Sequence, residues 1–419
     1  MKKYLAFGAS ISLAAIALTG CSGSSEDDAT TIELWTSWTE GEATAEALKP
    51  LIQEWAEENG YTVNQSNFTY DQIHEKLIAS AAGGNLPDVV WGLPEYVGEF
   101  NKLGILADVS SAWDGWDDAD QVSDAVKSAM TIGDQVVGFP YEATARGYLV
   151  HDDLITGDVP TTWEDVLAAG RAGQGPDGNW FYGLTGTGVR APQELLVYLA
   201  QEGLEIASPN DDGGYSNMWN DEPDQLAKAA DVFQYYQDLI ASGAASPNSP
   251  TYGWEETDDN FATGLSTSFV TGNWLAEREG SNPDTMSDVS IHPIPYPEDG
   301  TAATYIESKP IFVMANSDSL DASTELAAEF ASEQWQTAAF ADRSALASVT
   351  TDSKWSKDFA ALLDTGVTYP PVSLGEVTQN MIDAIAMVLQ DDSSPEEAAA
   401  WLSDAVNASL ENSGDSAGN

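Results

Sequence analysis

The chain has 419 residues, 42% hydrophobic and 10% aromatic, enough for more than one core and for about two or three domains. Its 15 Lys and Arg stand against 68 Asp and Glu, a formal charge of −53. That balance excludes nucleic acid as a partner, because binding it needs a basic face, and disfavours an anionic membrane surface. The acidity reads equally as solubility or as adaptation to a salty medium outside the cell, where ions screen self-repulsion.

Lys2 and Lys3 precede "YLAFGASISLAAIAL", an apolar run too short and too early to favour a membrane span. "LTGC" follows, ending at Cys21, and then the polar "SGSSEDDATT". This resembles the lipobox of bacterial lipoproteins, and the resemblance implies cleavage before Cys21 and acylation on it. The plainer alternative is an ordinary signal peptide with an incidental cysteine. Against it, the chain's only cysteine falls at that position, which also rules out an intrachain disulfide. Loss of Lys2 and Lys3 with the leader leaves 13 basic against 68 acidic residues, or −55. Residues 1–20 therefore read as a leader, 21–30 as a flexible tether and 411–419 as a disordered tail.

In chain order, "TIELW" predicts a strand. Leu48, Leu51, Ile52 and Trp55 predict one helical face that ends near Asn59 and Gly60, with Pro50 expected to kink or interrupt it. "YTVNQSNF" predicts a strand, "DQIHEKLIASAAGG" a helix, "PDVVW" a short buried strand and "EYVGEFNKLG" a third helix. This β-α-β-α-β order implies a largely parallel sheet wrapped by helices. After "DQVVGFPYEATARGYLVHDD" the pattern restarts. "TTWEDVLAAGRAG" is a helix with a Thr N-cap, "DQLAKAADVFQYYQDLIASG" a long amphipathic helix, and "STSFV" and "VSIHPIPYP" are strands. Helices dominate from there to Leu410. The whole reads as two α/β lobes with more than one crossing between them.

Catalytic patterns are missing. His74, His151 and His292 are scattered without metal-ligand spacing, and there is no G-x-S-x-G elbow, phosphate loop or G-x-G-x-x-G. His74, in a helical stretch, reads as structural. "NDDGG" lacks the EF-hand ligand spacing. Acids are so abundant that carboxylate pairs carry little information, although a two-carboxylate glycosidase stays open. The reading calls for no metal, no cofactor and no reaction.

The order of "LWTSW", "NLPDVVW", "EFNKLGILADVS", "GFPYEATARGYLV", "PTTWEDVL", "NFATGLSTSFVTGNW" and "LAAEFASEQW" resembles extracellular solute-binding proteins of ABC sugar importers, the branch that includes maltose-binding protein. Each segment alone is weak; their order and spacing together are specific. One departure is Val150-His151, where the family often has Tyr-Asn. The resemblance implies a two-lobed fold closing on a ligand, with residues 31–139 and 296–345 in one lobe and 140–295 and 346–410 in the other. It places crossings before Tyr141, near Pro295 and between about Ala345 and Thr351. It also implies a ligand site built from Trp38, Glu40, Trp91, Glu95, Tyr141, Glu142, Arg146, Arg190, Trp254 and Trp274. Aromatic faces cover the C–H patches of a sugar, and charged groups bond its hydroxyls. Against those roles, Trp91 reads equally as the end of a buried strand, and Glu40, Glu95 and Glu142 are little better than surface acids in this composition. Arg146 and Arg190 are more telling, since a guanidinium in so acidic a chain has a defined partner: sugar hydroxyls, an anionic ligand group or a buried acid. Trp35 reads as core and Trp38 as the cleft residue.

The resemblance thus implies a monomeric, lipid-anchored extracellular receptor that delivers a carbohydrate, an oligosaccharide first, to an ABC permease. The alternatives are a receptor for a polyol phosphate or polyamine, and a secreted carbohydrate-active enzyme. The anchor is testable directly. Cys21→Ser should abolish acylation and leave the protein soluble outside the cell or retained with its leader uncut. Detergent-dependent partition of the mutant, measured by phase separation, would count against the lipobox.

Overall fold

In a computed structural model, residues 30–38, 43–173, 180–211, 213–391 and 393–416 are described. The leader, Cys21 and Glu40 lie outside them, as do residues 417–419 of the expected tail.

The first strands are β1 (Thr30–Thr36), β2 (Tyr61–Asn67) and β3 (Val89–Trp91), joined by helices α1 (Ala43–Asn59) and α2 (Tyr70–Gly83). They pair in parallel with β1 in the middle. Ile32, Leu34 and Thr36 point to one buried face, as a period of two requires. Helix α1 continues through Pro50 rather than ending there. Its stop is Gly60, in the left-handed region at φ 74°. Helix α2 carries a capping box between Thr69 and Gln72 and ends at Gly84. A 3-10 turn, Pro94–Tyr96, follows β3 and leads into α3 (Val97–Lys102).

Strand β4 (Gly138–Thr144) belongs to this first sheet, and β5 (Gly147–His151) opens a second one. The chain passes from one to the other through Ala145 and Arg146. The second region holds α4 (Trp163–Arg171), whose N-cap Thr162 accepts the Asp165 N–H, then β6 (Trp180–Gly183), α5 (Ala191–Gln201) and α6 (Pro223–Ala241). It continues with α7 (Trp254–Ala262), β7 (Ser266–Thr271) and β8 (Val289–His292). Strand β9 (Glu307–Val313) then returns to the first sheet, lying antiparallel between β3 and β4. The sheet orders are β2-β1-β3-β9-β4 and β8-β5-β7-β6.

Helices α8 (Leu320–Ala331) and α9 (Glu333–Ala339) pack on the first sheet and on α1. The last two, α10 (Leu374–Leu389) and α11 (Pro395–Ser413), pack on α5 and α6 beside the second sheet. Ordered helix therefore runs past the expected end at residue 410. Gly414 caps it in the left-handed region, and Asp415 beyond the cap is buried. The expectation of a disordered tail from 411 is thus corrected through 416, because the tail packs between the lobes. Among the described residues no helix is long and apolar enough to cross a membrane.

Of the two tryptophans at the end of β1, Trp38 departs from its expected place, whereas Trp35 packs partly buried against the core. Trp38 is 6% exposed, inside the first core beside Phe330, and its indole N–H donates to the Tyr141 hydroxyl at 2.5 Å. Trp35 is half-buried on the other face of the strand, edge-on to Phe68. The alternation Ile32, Leu34, Thr36 continues beyond the strand and carries Trp38 inward. Trp38→Ala should therefore cost roughly 3–5 kcal/mol of unfolding free energy as a core truncation. Trp35→Ala should cost clearly less. Urea denaturation of both variants checks the order.

Candidate functional site

Where the two sheets meet, a run of charges crosses from one to the other. On the first sheet, Glu142 of β4 accepts the Lys309 ammonium at 2.6 Å and is also bonded by the Arg343 guanidinium. Lys309 lies 3.9 Å from Glu307 on β9. Glu307 accepts Arg146 Nη2 at 2.8 Å, and the same nitrogen donates to Gln193 of α5 at 2.9 Å. Arg146 therefore joins a first-sheet strand to a second-region helix. Burial alone would raise the carboxyls of Glu142 and Glu307. For Glu142, Lys309 and Arg343 more than offset this; for Glu307, Lys309 and Arg146 do so. Both acids are held below the ordinary carboxylate range.

The Arg146 guanidinium lies over the Trp274 ring at 4.5 Å, and Arg190 over the same ring at 5.1 Å. Arg190, preceding α5, is paired with Asp258 of α7 at 2.8 Å. Asp258 also accepts the Thr271 hydroxyl and the Trp274 indole N–H at 3.1 and 3.0 Å. Trp274 is thus committed to protein cations and a protein acid. One turn along α5 from Arg190, Glu194 is buried, both its oxygens lack a hydrogen-bond partner among the described residues, and burial pushes its carboxyl up to about 8.

A cavity of about 490 Å³ lies beside this seam. Its first wall comprises Glu95, Tyr96 and Glu99 after β3, with His74 of α2; its second is the opening turn of α10, Ser373 to Thr378, with Ser409, Asn412 and Ser413 of α11. His74 is tied to Glu99 at 2.7 Å and stacked on Phe100. Glu95 is half-buried, and its Oε2 is shielded from solvent with no hydrogen-bond partner among the described residues. Burial, and then the nearby Glu307 carboxylate, push its carboxyl up to about 7.

Among the described residues expected at the site, Glu95 is the one that lines this cavity. Trp38, Trp91 and Tyr141 are corrected to core: they are 6%, 2% and 3% exposed, packed where β1, β3 and β4 face the first layer of helices. Glu142, Arg146 and Arg190 are buried in the ion pairs above, so their partners are protein acids and bases. Trp254 is 41% exposed, one helical turn before Asp258, and remains open to a ligand. The α10 wall and Tyr96 were not anticipated. The signal for the former is "PPVS", two prolines and a serine just before an apolar-periodic helix.

A family model of bacterial extracellular solute-binding proteins matches residues 50–365. Among curated proteins the comparison finds no match. Solved structures with the same fold include the sugar-binding protein MalE of the phytopathogen Xanthomonas citri, 20% identical, TM-score 0.77, covering 91% of this chain and 98% of that one. A cyclo/maltodextrin-binding protein complexed with maltotetraose is 18% identical, TM-score 0.75, over 93% and 99%. The cyclic alpha-maltosyl-1,6-maltose binding protein of Arthrobacter globiformis is 24% identical, TM-score 0.73, over 92% and 100%. At these identities the likeness establishes the two-lobed fold.

The raised carboxyl of Glu95 gives a signed pH effect. The folded chain keeps that proton up to about pH 7, whereas an unfolded carboxyl releases it near 4.5. Between those values the folded state binds more protons, so the contribution of this group to stability falls as pH rises. Glu95→Gln should stabilise the ligand-free protein at pH 8 by on the order of 1–3 kcal/mol and give little gain at pH 4.5. Urea unfolding at the two pH values measures it; an equal effect at both would refute the assignment.

Proposed function

The chain belongs to the bacterial extracellular solute-binding protein family, and from that premise we propose that it is a lipid-anchored receptor that captures a carbohydrate in the interlobe cavity and delivers it to an ABC importer. The observation that carries this reading is the cavity itself. It is walled from both sheet regions, and it combines an aromatic ring, Tyr96, with acceptors and hydroxyls from Glu95, Ser373 and Thr378. That mixture suits a sugar, which offers apolar C–H patches beside hydroxyl donors. Its volume fits the usual range of small-ligand sites, roughly 300–1,000 Å³. The maltodextrin binders with the same fold point to an oligosaccharide.

The first lobe comprises the first sheet with α1 to α3, α8 and α9, and the second comprises the second sheet with α4 to α7, α10 and α11. Crossings at 145–146, between 293 and 305, and after 347 are supported by the sheet order and by the backbone bond from Ala347 to Gln121 in the first lobe. Hinged closure of such lobes brings the walls onto a ligand. The tether and Cys21 acylation would hold the monomeric receptor at the outer face of the cell membrane.

Glu95, Glu99 and Glu376 on the walls repel an anionic ligand, so a polyol phosphate is disfavoured and a polyamine is the rival that the same acids favour. Titration with maltotetraose should raise the melting temperature, with a stabilisation of about 2.7 kcal/mol at a hundred times Kd. Tyr96→Ala should weaken binding by roughly 2 kcal/mol, as loss of an aromatic anchor does. Chromatography should recover the sugar unchanged, whereas shortened products would support the enzyme. A melting temperature indifferent to neutral oligosaccharides but raised by spermidine would favour the rival.

A further inference from the structure

The two walls of the cavity are joined by one side chain. Lys102, on the last turn of α3, reaches the second lobe with all three of its ammonium hydrogens engaged. It meets Asp415 Oδ1 at 2.5 Å, Ser373 Oγ at 3.0 Å and the Ser413 carbonyl at 3.0 Å. Asp415 is in turn a junction within the second lobe. Its Oδ2 accepts the Ser373 N–H at 3.0 Å and the Ser413 hydroxyl at 2.6 Å, and its carbonyl accepts the Tyr215 N–H at 2.8 Å. The next residue, Ser416, accepts Asn210 Nδ2 at 2.9 Å through its carbonyl. The turn after α11 is therefore fastened to the body of its own lobe while it holds a cation from the other.

A second observation on the same helix face agrees. Gly98 stands one turn before Lys102, so the two share a face of α3. A Cβ at Gly98 would lie 2.6 Å from the Val372 carbonyl carbon and oxygen, and 2.7 Å from the Pro371 oxygen. Only a glycine lets α3 sit against the Pro371–Ser373 backbone this closely. A backbone stop at Gly98 and a charge pair at Lys102 thus fix the same segment, and that segment begins the α10 wall of the cavity. An exposed ion pair would do little here. This one leaves 21% of the lysine and 5% of the aspartate side chain exposed, so removing either partner strands a shielded charge.

We infer that Lys102 and Asp415 are positioning residues for the ligand cavity: the turn Gly414–Ser416 acts as a clasp that sets the first turn of α10 against α3. The affinity part of this inference rests on the carbohydrate reading of the cavity; the structural part does not.

The test compares Lys102→Met, Asp415→Asn, the double variant and the charge-retaining Lys102→Arg in the full chain. Hydrogen exchange by mass spectrometry should show each single change acting across the lobes. Lys102→Met should speed exchange in peptides covering residues 371–380, and Asp415→Asn in those covering 97–105. The double variant should go no further than the worse single one, because the groups act as one unit. Affinity for maltotetraose should fall about tenfold in each single variant and no further in the double, a coupling of the size contacting residues show. Lys102→Arg should keep most of it. Exchange changes confined to the mutated lobe would overturn the clasp, and cross-lobe changes with unaltered affinity would overturn the positioning role. If the parent itself fails to bind maltotetraose, the carbohydrate reading is at fault and the exchange result still decides the clasp.

Discussion

The structure depends on how so acidic a chain places its few cations. Arg146 is the case that matters most. It sits in the first crossing, bonds Glu307 from one sheet and Gln193 from the other region, and carries the Trp274 ring on its guanidinium. Through it a sequence of alternating groups runs from Glu142, Lys309 and Glu307 on the first sheet to Trp274, Arg190 and Asp258 beyond the crossing. Each buried carboxylate here would be intolerable alone and is tolerable with its cation. A lysine at the position of Arg146 would not replace this arrangement, because a compact ammonium has no planar face to lie on the indole. The seam fixes where the lobes meet and so where the cavity beside it opens.

Much of the fold was legible because the signals were local. Period-two and period-3.6 patterns placed β1 to β3 and α1 to α3, and glycines in the left-handed region ended the helices where Gly60 and Gly84 stand. Helix α1 is not interrupted at Pro50 because only one N–H is lost, which the packing of Leu48, Ile52 and Trp55 outweighs. Trp38 departs from its expected place for a different reason. Position past the end of a strand suggested the opening, but side-chain parity outlasts the hydrogen-bonded ladder by a residue or two. Counting in steps of two from Ile32 would have put Trp38 inside.

The site was less legible, and the shortfall is instructive. Glu95 follows a β-strand's C-terminal edge, where α/β proteins set their ligand loops, and it does line the cavity. Arg146 and Arg190 read as guanidiniums with defined partners, and the partners are protein acids, half-buried Glu307 and buried Asp258. The α10 wall is some 280 residues from Glu95 in sequence, and nothing local to either segment announces the other. The same holds for Lys102 and Asp415. Contacts of this separation belong to the tertiary fold, and a single sequence gives their ingredients without their pairing.

Glu95 shows how the seam and the cavity act on each other. It stands near Arg146 and Lys309 but nearer in effect to Glu307, and its inner oxygen has no hydrogen bond among the described residues. In the empty protein that carboxyl costs stability whenever it is ionised. Under the receptor proposal, a lobe movement that uncovers Oε2 to a ligand hydroxyl would supply the missing bond, and closure around the ligand would remove the water that weakens it. The acid that weakens the empty state would thereby strengthen the occupied one. Affinity follows the difference between the two states, not the strength of either. A half-buried carboxyl with one oxygen lacking a partner among the described residues would in that way make closure depend on a hydroxyl-bearing ligand.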